Sequence, residues 1–445
     1  MAENKAPNAE TSQQGKPAGS DIDHPLRWPL NAELHSRPPM LVHAPSRSSH
    51  FAFINTTGGH AEDRSHIEAL VSKFSPSLIS NADNQIIADF RGYRLKWERH
   101  TEFSTYSIYV DSASAKPFAE PAVEALPSDW RKAIPGERIA AIHIEFLALA
   151  SLNIEATDID RFFANQHPAG SIVNDGLAEV WTDFRIHQDG FGRLLINDKG
   201  LTGERAGRLI QRLWEIDTYR MMALLGFPVA REVMTSLNQV EDRLGKLVLE
   251  MNPASETRDD RSLLTETLSL AERSEELVAK TSYRYAATRA YHALVQRRIE
   301  ELREKRIQGA QRISNFLGRR LEPAMRTVEA SEKRLTGIAH RINRAADLLR
   351  TRVDLGLKQQ NQEVLTSMAK RASLQLRLQQ TIEGLSVVAI GYYAIGIAGI
   401  LIKASKGAGA PIDPTVATGI AAVPILILVA IVTRRIRRHI ERDGD

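Results

Sequence analysis

The sequence contains no cysteine among its 445 residues. Disulfide bonds, thiolate metal sites and cysteine nucleophiles are therefore excluded. An excess of one charge is also missing, because 58 lysines and arginines face 54 acidic residues and leave a formal net charge of +4. Proteins that bind nucleic acid through its backbone usually carry a concentrated basic excess. The composition therefore predicts no nucleic-acid partner.

Sequence motifs of the common enzyme classes are missing as well. Gly200, Gly203 and Gly207 do not have the spacing of a phosphate-binding or dinucleotide-binding loop. No Gly-x-Ser-x-Gly or His-Glu-x-x-His segment occurs. Asp158 and Asp160 form an acidic pair that fits either a metal site or the cap of a helix. The sequence thus predicts no cofactor and no catalytic residue.

Acidic residues, basic residues and histidine are absent from two long stretches near the C-terminus, 385–402 and 415–433. Each is about as long as a helix must be to cross the core of a bilayer. Four arginines follow the second stretch, whereas the connecting loop has two lysines and one aspartate. Basic residues collect on the cytoplasmic side, and the first twenty residues have no apolar segment typical of a signal peptide. We therefore expect a multi-pass protein of a bacterial inner membrane. Its two transmembrane helices lie within 384–438, and both termini, including a tail at 439–445, are cytoplasmic.

Small residues recur in the first apolar stretch, and two tyrosines lie near its middle. The candidates for a pore lining or a helix interface are Gly391, Tyr392, Ala394, Gly396 and Ala398. Ala394 and Ala398 have the small-xxx-small spacing that lets helix backbones approach closely. The same residues also fit the ordinary glycine and alanine content of membrane helices, so both interpretations stay open.

The N-terminal region is rich in polar residues and proline. Residues 1–21 have the composition of a disordered tail. The segment 24–39 contains four prolines, which favour an extended path over a long helix. Its candidate ligand-binding side chains are His24, Glu33, His35 and Arg37. Histidine and glutamate can bind metals, but these spacings match no zinc pattern, so no metal site is predicted.

Residues 22–200 have the pattern of a cytoplasmic α/β domain. We predict a helix at 63–74 and strands at 51–54, 86–90, 93–100, 105–110 and 139–147, followed by a hairpin of 179–186 and 191–196. Alternation in the hairpin puts Trp181, Asp183, Arg185 and His187 on one face. Such a face could bind an anion or act as an acid–base set. It could equally be a solvated face with cross-strand ion pairs.

Residues 201–383 change to helical spacing and predict a stalk of long helices. We expect one helix containing 209–224, a second at 229–251, and a third at 261–317, with Pro323 as its end or a kink. The residues Leu321, Val328, Leu335, Ile342 and Leu349 then follow at intervals of seven, the spacing of a coiled coil. This seam could form within the chain or between subunits.

Two segments resemble a known family. HPLRWPLNAELHSRPP at 24–39 and RASLQLRLQQTIEGLSVVAIGYYAIG at 371–396 are similar to segments of an uncharacterised family of predicted membrane-anchored bacterial proteins, catalogued as a domain of unknown function. The resemblance covers about 22–438. It implies a membrane anchor and assigns no activity.

The order of an α+β cytoplasmic domain, long coiled-coil-like stalk helices and a C-terminal two-helix transmembrane hairpin is similar to the layout of CorA-type magnesium channels. Those channels end their first span in Gly-Met-Asn, whereas 400–407 here reads ILIKASKG, whose lysines would repel a cation at a pore mouth. We therefore expect an oligomeric scaffold or sensor, with the lipid bilayer and further copies of the chain as partners. A CorA-like channel or transporter with an altered filter and a membrane-tethered enzyme are the alternatives.

Overall fold

The computed structural model describes residues 23–28, 30–31, 38–54, 60–148, 156–164, 167–252, 259–407 and 413–440. The chain forms two compact units. The first consists of Met1–Thr257 and Thr265–Ala345, and the second of Arg258–Leu264 and Ala346–Asp445.

The first unit contains a ten-stranded sheet. Its strands are β1 Ser46–Ile54, β2 Ser77–Ala82, β3 Gln85–Phe90, β4 Tyr93–Arg99, β5 Phe103–Val110, β6 Glu137–Leu147, β7 Ala169–Val173, β8 Ala178–Thr182, β9 Gly192–Asp198 and β10 Lys305–Arg306. They lie in the order β10-β7-β8-β9-β6-β1-β5-β4-β3-β2. Strands β6 and β9 are parallel, and the other neighbours are antiparallel. The mixed α+β prediction is confirmed, with β2, β7 and β10 as strands that the sequence did not reveal.

The α-helices lie between the strands or after them in the chain, and several of them pack against the sheet. They are α1 His60–Phe74, α2 Ser128–Lys132, α3 Gly203–Leu224, α4 Gly226–Glu250, α5 Asp260–Glu301, α6 Ile313–Gly407 and α7 Pro414–Ile440. Short 3-10 helices occur at Ala122–Ala125, Ala156–Phe163 and Asn174–Gly176. The long C-terminal helices expected from the 3.6-residue spacing are present.

Both faces of the sheet are buried under helices, because its strands carry apolar residues on both sides. On one face, Ile67 and Leu70 of α1 join a core with Phe51 and Trp97. On the other face, α3 contributes to a core that contains strand residues such as Ile142. Helix α3 approaches the chain before β1 so closely that a Cβ atom on Gly207 would lie 1.7 Å from the carbonyl oxygen of Met40. Only glycine fits there without a backbone shift.

The predicted helix at 261–317 is interrupted. Helix α5 ends at Glu301, and α6 begins at Ile313 with Pro323 inside it. The connector between them runs along β7: Lys305 and Arg306 pair with it, Gly170 N donates to Gln311 O, and Asn174 N donates to Leu302 O. The prediction of one continuous helix at 261–317 was therefore wrong. The connector 302–312 pairs with a sheet edge instead, and this pairing outweighs its helix propensity.

The seven-residue seam of α6 is buried within the first unit from Leu321 to Ile342. Val328 packs with Ala230 of α4 and Tyr285 of α5, and the Tyr285 hydroxyl lies 2.9 Å from Ser331 Oγ. Over this range the seam is therefore formed inside the chain. Helix α5 contributes a matching row that the sequence analysis missed, because most of its members are polar: Thr267, Ser274, Thr281, Thr288 and Val295, all buried.

The second unit contains two helices, α7 and the C-terminal part of α6, that are long and apolar enough to cross a membrane. Their most apolar windows have mean hydropathies of 2.2 and 2.6 and are 6% and 0% buried. Soluble proteins bury such helices in a core. These exposed apolar helices are compatible with membrane association.

Candidate functional site

The predicted hairpin forms, but its first strand is shorter than expected. β8 ends at Thr182, and the chain then turns at Phe184, whose φ is 54°. Because the strand stops, alternation no longer fixes which way the following side chains point. Trp181 is buried in a core cluster with Phe163 and Leu195. It therefore does not share an open face with Asp183, Arg185 and His187, and this part of the predicted face is wrong.

Asp183 organises the turn after β8. Its carboxylate is buried and accepts a hydrogen bond from Arg185 N (3.1 Å to Oδ1). His187 Nε2 donates to its other oxygen, Oδ2, at 3.0 Å. His187 N also bonds to Phe191 O at 2.9 Å and closes the hairpin. The three polar residues are thus brought together, and these contacts hold the Asp183 carboxylate in a structural role.

A four-layer stack of aromatic rings and guanidinium groups lies next to this turn. The rings of Phe184 and Phe316 stack with centres 5.0 Å apart. Arg220 lies over Phe184 at 5.3 Å and Arg320 over Phe316 at 3.8 Å. Two hydrogen bonds to Asp217, at 2.6 and 3.0 Å, fix the guanidinium of Arg220. Stacking holds both guanidinium planes. The Nε and Nη2 groups of Arg220 are engaged by Asp217, so an anion would meet the remaining N–H groups of Arg220 and those of Arg320.

The turn and the stack line one cavity of about 420 Å³. Its polar lining includes Arg185, Arg220, Arg320, Asp183 and His167, and its apolar lining includes Phe184, Phe316 and three leucines. Three arginines around an apolar floor suit a ligand that carries negative charge. Sequence reasoning found Asp183 and Arg185 but missed Arg220 and Arg320. The available signal was the i, i+4 spacing of Phe316 and Arg320 on a helix.

The remaining predicted ligand residues come from the N-terminal segment 24–39. His24 is exposed, and its Nδ1 accepts a hydrogen bond from Leu26 N at 3.2 Å. Glu33, His35 and Arg37 lie outside the described residues. Within the ranges that the structure describes, no group of three or more metal-ligating side chains occurs.

The five candidates for a pore lining or helix interface differ in how far they are buried. A Cβ atom on Gly391 would lie 2.7 Å from a methyl carbon of Leu426, so the two apolar helices touch there. Gly391 is buried and Ala394 and Ala398 are partly buried, whereas Tyr392 and Gly396 are exposed. Among these candidates, Gly391 is the residue for which the structure shows contact with the second apolar helix of the same chain.

A protein-family profile described as "Protein of unknown function (DUF3422)" matches residues 22–440. The chain belongs to this family. The match covers both the sheet-containing unit and the two apolar helices, so the family description applies to the architecture as a whole. A search of curated proteins found no match. The match agrees with the expected membership of an uncharacterised family over about 22–438, and it carries no information on the membrane anchor that the resemblance implied.

Proposed function

We propose that this member of the family is a membrane-anchored sensor without catalytic activity, whose sheet-containing unit faces the bacterial cytoplasm. The observation that carries the proposal is the pair of exposed apolar stretches without charged residues, in α6 and α7, in a chain whose other unit is charge-rich and well packed. Exposed apolar surface of this extent requires a lipid or protein environment. Two adjacent spans match a multi-pass anchor in the inner membrane.

The orientation rests on the basic residues that follow α7. Arg434 and Arg435 lie at its end, and Arg437 and Arg438 extend the cluster. A cytoplasmic location for this cluster keeps the charges on the side where basic residues collect. Both termini are then cytoplasmic, and the 403–414 loop is periplasmic.

Alkaline carbonate extraction tests the anchor. The full chain should stay in the membrane pellet, and release into the supernatant would contradict the proposal. The cysteine-free sequence also permits a clean topology test with Ser405→Cys, beyond the first span, and Ser373→Cys, before it. A membrane-impermeant maleimide should label Ser405→Cys in intact spheroplasts and Ser373→Cys only after lysis. The reverse result would invert the orientation.

The sensed ligand in this proposal is an anion that enters the cavity beside the Arg220–Phe184–Phe316–Arg320 stack. Inorganic phosphate is a suitable probe, and its phosphorus NMR line should broaden in the presence of the full chain. Arg320→Gln should weaken this binding about tenfold, because a charge-assisted hydrogen bond is lost. The neighbouring exposed Arg319→Gln is the matched control. Equal binding by the two variants would remove this cavity from the proposal.

A second candidate function is an ion channel with a CorA-like layout. It is favoured by a cavity of about 690 Å³ between the two apolar helices, whose lining includes Tyr392, Lys403, Thr415 and Thr418. The polar lining could contribute to a pore in an oligomer, but Lys403 would favour anions over cations. Ion flux in liposomes separates this candidate from the sensor.

A further inference from the structure

A further cavity lies on the opposite face of the sheet from α3. It differs in chemistry from the cavity lined by Arg185, Arg220 and Arg320, the arginine cavity. It has a volume of about 400 Å³. Its floor consists of apolar side chains from β1, from the 3-10 helix at Ala122–Ala125, and from the residues after α2 and before β9: Phe51, Phe53, Val123, Ile134 and Phe191. Phe51 contacts both Phe53 and Phe191, with ring centres 5.7 and 6.3 Å apart. The floor is therefore apolar and mostly aromatic.

Positive side chains form the rim of this cavity. They are Arg131 and Lys132 of α2 and Arg138 of β6, and no carboxylate is among the described lining residues. None of the three forms an ion pair with the part of the chain that the structure describes. Arg131 Nε is buried and has no hydrogen-bond partner. Three uncompensated cations beside an apolar floor give the cavity a positive potential.

The position of Arg138 depends on an irregularity in the sheet. Ala52 pairs with Ala140, but the next residue, Phe53, pairs with Arg138, so Ile139 is an extra residue on β6. Regular alternation would put Arg138 on the same face as Ala140. The β-bulge instead turns Arg138 to the face that carries Phe53, and its guanidinium lies 5.0 Å from the ring centre of Phe191. Bulges that redirect one side chain are frequent next to binding sites.

We propose that this cavity binds a monocarboxylate with a compact apolar body, aromatic or aliphatic. The apolar body would cover the phenylalanine floor, and the carboxylate would accept hydrogen bonds from Arg131 and Arg138. A cation is disfavoured by the three positive groups, and an uncharged ligand of the same shape leaves them uncompensated. The inference does not depend on the sensor proposal or on the arginine cavity.

The test uses the full chain in lipid nanodiscs, with empty nanodiscs as the baseline for partition into lipid. Three probes share one apolar body: para-fluorobenzoate, para-fluorobenzyl alcohol and para-fluorobenzylamine. Fluorine NMR should show binding of the benzoate, about tenfold weaker binding of the alcohol because charge-assisted hydrogen bonds are lost, and no binding of the amine. Hexanoate, followed by saturation transfer, separates an aliphatic from an aromatic ligand. Binding of either carboxylate with this charge preference supports the proposal.

Variants at the rim assign the binding to this cavity. Arg138→Gln and Arg131→Gln should each weaken carboxylate binding about tenfold, whereas the exposed Arg91→Gln, outside the cavity, should not change it. Arg131→Gln removes a buried N–H without a partner, so it should fold at least as well as the parent chain. Absence of binding by both carboxylates would overturn the proposal. Equal binding of benzoate and alcohol, or unchanged binding in both rim variants, would overturn it too.

Discussion

Lowering the pH should destabilise the first unit through His50. This side chain is fully buried between the sheet and α3, where its ring stacks on Trp214 with centres 4.7 Å apart. Ser107 Oγ lies 2.8 Å from Nδ1 and Thr218 Oγ1 3.2 Å from Nε2. Burial, with the nearby positive groups His100 and Lys96, lowers the pKa of His50 from 6.5 to about 3. The folded protein therefore holds a neutral imidazole.

The sign and size of the effect follow from linkage between protonation and folding. The unfolded chain binds a proton below about pH 6.5, and the folded chain does so only near pH 3, so stability falls as the pH drops between these values. At about pH 5 the loss from His50 is about 2 kcal/mol relative to about pH 7.5. His143, whose pKa burial lowers to about 4, adds a loss of similar size and sign.

Urea denaturation of the full chain in mild detergent, followed by tryptophan fluorescence at both pH values, measures this loss. His50→Gln keeps a group that can donate and accept hydrogen bonds but cannot titrate. It should be less stable than the parent at neutral pH, yet its loss on acidification should be about 2 kcal/mol smaller. Phe51→Leu, a core change on the opposite face of β1, should lower stability at both pH values and keep the full loss. If His50→Gln also keeps the full loss, the assignment of a buried neutral His50 is refuted.

Three further predictions concern packing and transport. Gly207→Ala should destabilise the first unit by roughly 2 kcal/mol, because the added methyl group meets the backbone of Met40. Gly245→Ala, in open space on α4, should instead stabilise it by about 0.5–1 kcal/mol. Chemical denaturation measures both changes. Leu335→Asp and Ile342→Asp should each cost about 3 kcal/mol or more, since a charge enters a buried seam, and unchanged melting of the double variant would contradict the seam. Liposomes that contain the protein and a magnesium dye should show no Mg²⁺ uptake. A filter for hydrated Mg²⁺ needs oxygen ligands, whereas the loop after the first apolar stretch carries two lysines. Saturable uptake blocked by cobalt hexammine would support the channel.

The fold was predictable where local pattern and tertiary contacts agree. The runs around Phe51, Trp97 and Ile142 alternate or are continuously apolar, and each forms a strand with buried side chains. Strand β2 was missed because its Leu78 and Ile79 are exposed at the edge of the sheet, so burial selects no apolar pattern there. The interruption of the predicted 261–317 helix was missed because Gly309 is the only residue of the 302–312 connector that breaks helices.

The candidate site was predictable only in its local part. Asp183, Arg185 and His187 lie within one turn, and their proximity follows from sequence spacing. Arg220 and Arg320 come from helices far away in the sequence, and only tertiary packing brings them to Phe184 and Phe316. Trp181 was assigned to an open face because alternation does not reveal that Phe163 and Leu195 cover it. The end of the alternation was missed because the positive φ of Phe184 has no signature in a phenylalanine.

The pairing of Lys305–Arg306 with β7 also sets an order of events during translation. β7 is complete once Val173 has been made, but the connector that covers its outer edge is synthesised only after the three helices α3, α4 and α5. Until then the nascent chain carries an open strand edge, which is prone to pair with other chains and aggregate. A fragment truncated near residue 200 would keep that edge open permanently. Recombinant versions of the first unit should therefore extend past Ile313, whose backbone N–H donates to Ser171 Oγ of β7.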